Sequence, residues 1–178
     1  MAVWMLFSGL NRSTRKSINM RILFITVLIL MIVVIIGLWI YEHKSSLPVP
    51  QNISQLVSFP IYYPDPNKLP KGYKLDVKSF SAPLKNGVTY TVNYGNDNKI
   101  VFSVQPKPSA DELLTFDGNF LPLRTSYQTA VGQAEIGAYN LKTLVSLPTN
   151  SSSWIIITAP PNINQDQLKQ VLSAITKD

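Results

Sequence analysis

The sequence predicts an α+β protein: one N-terminal transmembrane helix, then a mainly antiparallel β-sheet domain. That domain carries a short helix and a C-terminal amphipathic helix packed on the sheet. Three observations lead there. Residues 22–41 form a run of twenty uncharged, almost wholly apolar residues. Apolar and polar residues alternate with a period of two from Tyr73 to Val104. After Asn164, apolar residues recur at helical spacing.

The apolar run comes first in the chain. Twenty residues in a helix rise about 30 Å, the thickness of bilayer hydrocarbon. Arg12, Arg15, Lys16 and Arg21 precede it without any acidic residue, whereas Glu42 offsets Lys44 on the other side. Lys and Arg beside a spanning helix stay cytoplasmic, which predicts a basic cytoplasmic tail over 1–21 and an extracytoplasmic domain after residue 41. The run exceeds a signal-peptide h-region and is followed by no small-x-small cleavage site, so the reading is a retained signal anchor. The expected localisation is the cell membrane, single-pass, with the bilayer as one partner.

Composition narrows the rest. The chain has 178 residues and no cysteine, which removes disulfides, thiol catalysis and Cys-based metal sites. Net charge is +6, but the first 21 residues supply most of it. The remaining domain is nearly balanced, so no nucleic-acid partner is expected.

All 13 prolines lie between residues 48 and 161. Residues 42–55 read as a Pro/Ser-rich spacer, and the folded domain is expected over 56–178. A turn-rich loop over 63–72 leads into a strand with Tyr73, Leu75 and Val77 on one face and Lys74, Asp76 and Lys78 on the other. Val88, Tyr90, Val92 and Tyr94 alternate next, Asn96-Asp97-Asn98 turns the chain, and Ile100, Phe102 and Val104 return as the second arm of a hairpin. Pro106 and Pro108 end that arm. Ser109 caps a short helix through Leu114, with Asp111 and Glu112 in its first turn and Asp117-Gly118-Asn119 ending it. Strands follow at Tyr127–Val131, Gln133–Ala138, Leu141–Leu147 and Trp154–Thr158. Ile155, Ile156 and Ile157 in succession mark a strand covered on both faces. In the last helix Asn164 caps, Gln167 reaches back from N3 and Ile163 staples against Leu168, with Leu168, Val171, Leu172 and Ile175 as the apolar stripe.

The segment Tyr62-Tyr-Pro-Asp-Pro-Asn-Lys-Leu-Pro-Lys-Gly-Tyr-Lys-Leu75 resembles the YxP…LPxGY opening of small bacterial membrane-anchored extracytoplasmic domains. Trp154-Ile-Ile-Ile-Thr158 and the helix to Ile175 resemble their closing elements. Similar modules stand on the outer side of some anti-sigma-factor-like proteins. The resemblance covers roughly residues 56–178 and implies no catalytic residue.

Chemistry is sparse. His43 is the only histidine and stands outside the expected domain, so a Ser–His nucleophile or a histidine metal site is not expected. Asp65, Asp76 and Glu135 are the carboxylates without an obvious turn or helix-start role, and a glycosidase pair drawn from them is the enzymatic alternative. Ser13-Thr-Arg-Lys16 matches a Ser-x-x-Lys pattern but lies in the tail. No cofactor and no metal site is expected. Tyr62 and Tyr63 are the candidate partner-binding residues, since neighbours in a strand face opposite sides and cannot both enter one core. The function expected from sequence is a non-enzymatic single-pass membrane protein presenting a binding or sensor domain to an envelope protein, peptide or glycan. A structural subunit of an envelope complex is the alternative.

Overall fold

The computed structural model describes residues 28–35 and 48–178, apart from residues 85 and 97. The chain divides into two units, Met1–Ser46 and Leu47–Asp178. In the first, residues 28–35 are helical, and their apolar side chains are exposed.

That helix corrects the leading expectation. Among the described residues no helix is long and apolar enough to cross a membrane. Of the 22–41 run, the described residues are 28–35, which are helical. The other residues of that run, the tail over 1–21 and His43 lie outside the described residues. The predicted single-pass topology, signal anchor, bilayer partner and extracytoplasmic partners all rested on a spanning helix and fall with it. So do the presented membrane domain and the envelope-complex subunit.

The second unit is built on a seven-stranded, wholly antiparallel sheet of order β2-β3-β4-β8-β7-β6-β5. Its strands are β2 (Tyr73–Leu84), β3 (Gly87–Tyr94), β4 (Asn98–Pro106), β5 (Thr125–Gln128), β6 (Gln133–Tyr139), β7 (Lys142–Pro148) and β8 (Ser153–Ala159). The chain lays down one meander, β2 to β4. Helix α2 (Ala110–Phe120) then carries it to the far edge, and a second meander returns until β8 docks beside β4. A two-stranded ribbon pairs β1 (Tyr62–Pro64) with β9 (Ile175–Lys177).

Period-two alternation assigns the faces. Val88, Tyr90, Val92, Ile100, Phe102, Val104, Val145, Leu147, Ile155 and Ile157 form one buried face. It is covered by the β1–β9 ribbon, by α1 (Gln51–Ser54) and by α3 (Gln165–Ser173), which contributes Leu168, Val171 and Leu172. Phe80, Tyr90 and Phe102 stack in a row across it, with centroids 4.7 and 4.8 Å apart.

The β3–β4 hairpin forms as expected, with Val92 facing Ile100 and Tyr90 facing Phe102. Four other expectations change. Residues 48–55 are not a free spacer: Val49 and Ile53 are buried in the core. In β2 the alternation breaks after Asp76, where the register with β3 shifts. The Asp76 carboxylate accepts from Lys78 N–H, and the Ser79 hydroxyl donates to Asp76 C=O while accepting from Thr91 N–H. This bulge turns Val77 outward and brings Phe80 in. Helix α2 continues past the predicted stop to Phe120. In α3, Asn164 accepts from the N–H groups of Asp166 and Gln167 as expected. The Gln167 amide oxygen instead accepts from the Tyr73 hydroxyl at 3.2 Å, and Ile175 leaves the helical stripe to pair in β9.

Candidate functional site

Among the described residues, α2 packs on the other face of the sheet, against β6 and Trp154. A capping box starts this helix: the Ser109 hydroxyl accepts from Glu112 N–H at 3.3 Å, and the Glu112 carboxylate accepts from Ser109 N–H at 2.8 Å. These bonds favour the ionised form, so the exposed Glu112 carboxyl is held below its ordinary value. Leu113, Phe116, Asp117 and Phe120 recur on one stripe, which explains why Gly118 and Asn119 do not end the helix. Both face solvent, and contacts of the stripe outweigh their weak propensity. The C-terminal end sits on β6, where a Cβ on Gly137 would come within 2.8 Å of Leu121 Cδ2.

Beside α2 lies a groove of about 350 Å³. Phe116 and Phe120 form one wall; Leu144, Ile156 and Thr158, the outward residues of β7 and β8, form the floor. Tyr139, Asn140 and Lys142 close the end at the β6–β7 turn. The rings brace one another. Phe120 meets Tyr139 edge-on at 5.0 Å and 75°, Phe116 lies 4.8 Å from Phe120, and Phe116 meets Trp154 at 4.8 Å and 90°. Trp154 is fixed behind them, its indole N–H donating to Ser146 Oγ at 3.1 Å. Lys142 is the only charged residue of the lining. At the turn, Asn140 and Leu141 both have positive φ, 47° and 58°, and the Leu141 side chain is 89% exposed.

Asp117 occupies an inward position of α2 and is only 9% exposed. Its Oδ1 has no hydrogen-bond partner. Burial raises its pKa above the ordinary value, opposed by the Ser146 hydroxyl and by Arg124, while Glu135 adds to the rise. Glu135 is itself bridged to Arg124 at 3.4 Å and accepts from Ser126 and Gln133.

The residues singled out from sequence lie elsewhere. Tyr62 and Tyr63 are 5% and 7% exposed, because strand β1 is covered on both sides. The Tyr62 hydroxyl is 2.8 Å from Ser151 Oγ, and the Tyr62 carbonyl accepts from the Tyr90 hydroxyl at 2.8 Å. Burial, with Asp178 and Asp65 nearby, raises the Tyr63 phenol. Of the three carboxylates, Asp76 and Glu135 stand five strands apart, about 24 Å at ordinary strand spacing. A glycosidase pair needs about 5–10 Å. Asp65 follows β1 in the layer on the opposite face and is bridged to Lys68 at 3.5 Å. No group of three or more metal-ligating side chains occurs among the described residues.

Sequence reasoning missed the groove. The expected short helix through Leu114, with Asp117-Gly118-Asn119 as its stop, did not carry Phe116 and Phe120 as one wall. The stripe at 113, 116, 117 and 120 was the available signal.

Comparison with known proteins found no matching family model, no matching curated protein and no matching solved structure. The resemblance to membrane-anchored and anti-sigma-factor-like domains is therefore withdrawn: neither these comparisons nor a spanning helix among the described residues supports it.

Proposed function

We propose that Leu47–Asp178 is a non-catalytic binding domain and that the groove between α2 and strands β7–β8 is its ligand site. One observation carries the reading: a concavity of about 350 Å³ on the face opposite the core, within the range of small-molecule sites, about 300–1,000 Å³. Its walls are aromatic and aliphatic, with Asn140, Thr158 and Lys142 as the polar groups. Such a lining supplies shape, apolar area and orientation. The eight lining residues include no carboxylate, histidine or cysteine.

The test is a thermal-shift screen of the full chain against small apolar compounds, repeated on Thr158→Trp. Thr158 is half-buried on the groove floor, and an indole there fills the space without touching the core face. Compounds that raise the melting temperature of the wild-type protein are expected to lose that effect in the variant. A screen whose hits all survive Thr158→Trp places the ligand elsewhere and ends this reading.

A further inference from the structure

We infer that the groove is built for a small aromatic anion, its planar body lying between the Phe116–Phe120 wall and the Leu144–Ile156 floor and its negative group held by Lys142. The inference rests on the groove being the ligand site and adds the ligand's chemical class. Charge is the first argument. Lys142 is the sole ionised side chain in the lining, and it enters no ion pair among the described residues. Its aliphatic stem can lie along the groove while the ammonium stays at the mouth. The carboxylates of this region lie outside the lining: Glu135 is bridged to Arg124, and Asp117 is buried beneath α2 near Ser146.

Ring geometry is the second argument. Phe116, Phe120 and Tyr139 meet one another at 35° and 75°, so they present both edges and faces. A planar ring can be met edge to face by such walls with little rearrangement.

Two probes with the same rings separate the possibilities: 8-anilinonaphthalene-1-sulfonate, an anion, and N-phenyl-1-naphthylamine, its uncharged counterpart. Fluorescence titrations use the full chain, and Thr158→Trp supplies the background, including any contribution from the exposed apolar residues 28–35. The groove component is expected to favour the sulfonate. Lys142→Ala should weaken the sulfonate about three- to fivefold, as for an exposed charge contact worth about 0.7–1 kcal/mol, and leave the amine unchanged. Added salt should reproduce that difference in the wild-type protein only. Equal binding of both probes, or no response to Lys142→Ala, overturns the anion assignment and leaves the groove as an apolar site. Binding of both probes that is insensitive to Thr158→Trp overturns the groove itself. Near-UV circular dichroism and a cooperative melt confirm that each variant is folded before it is scored.

Discussion

Asp117 is a carboxylate where the stripe of α2 calls for an apolar side chain, and its Oδ1 is unpartnered. A buried acid whose pKa is raised on folding binds its proton more tightly in the folded state. Its ionisation therefore costs stability as pH rises from the ordinary value of 3.8 through the raised one. Below 3.8 the acid is protonated in both states and that cost is absent. Asp117→Asn is expected to remove this portion of the pH dependence and to raise stability at neutral pH by about 1 kcal/mol. Urea unfolding of both proteins between pH 3.5 and 7 measures it; parallel curves would show that Asp117 carries no such cost. Leu141 carries a second cost of this kind, in the backbone. Asn140 and Leu141 form the two-residue turn between β6 and β7, with both φ angles positive. Asn-Gly is the sequence such a turn prefers, so Leu141→Gly is expected to stabilise the domain by about 1 kcal/mol. Urea melts of the two proteins measure it, and equal midpoints would show that the positive φ of Leu141 carries no cost.

At the scale of elements, α2 decides whether there is a groove. Its start was legible: Ser109 and Glu112 stand three apart, and the capping box forms. Its end was not, because Asp117-Gly118-Asn119 has the composition of a stop. The contacts that override it come from Trp154, Tyr139 and Gly137, all distant in sequence. Gly137→Val tests the seat of the helix. The added side chain meets Leu121, which is fully buried. A loss of about 1–3 kcal/mol is expected from overpacking, together with loss of the probe component that Thr158→Trp removes. A variant as stable as the wild type would mean that α2 accommodates the change by shifting. Helix α3 shows the same division. Asn164 and the Leu168, Val171, Leu172 stripe were readable locally, whereas Ile175 leaves the helix because β1 offers it a ladder.

Across the whole second unit, two meanders meet at β4 and β8, and the closing ribbon ties the first residues of the fold to the last. Asp178 N–H donates to Ile61 C=O at 2.9 Å, and Val49 and Ile53 enter the same core. A chain beginning at Leu47 is therefore expected to melt in a single cooperative transition. One beginning at Leu56 loses two buried side chains and about 2–4 kcal/mol. Circular dichroism melts of the two truncations distinguish them, and equal stability would remove Val49 and Ile53 from the working core.

What the sequence determined by itself was local. The alternation of Val88 to Tyr94 against Ile100 to Val104 dictates a hairpin because side chains of a strand point alternately to its two faces. The caps at Ser109 and Asn164 dictate helix starts because the first N–H groups of a helix need acceptors close by in the chain. The tertiary structure decided what depends on residues far apart: β8 beside β4, the burial of both Tyr62 and Tyr63, the outward turn of Val77 at the bulge and the length of α2. It also set aside the membrane-spanning expectation, which an apolar run alone had carried. The groove belongs to this second group. Its wall, floor and charged end come from α2, β7–β8 and the β6–β7 turn, and no short-range pattern records that long-range contacts bring these three together.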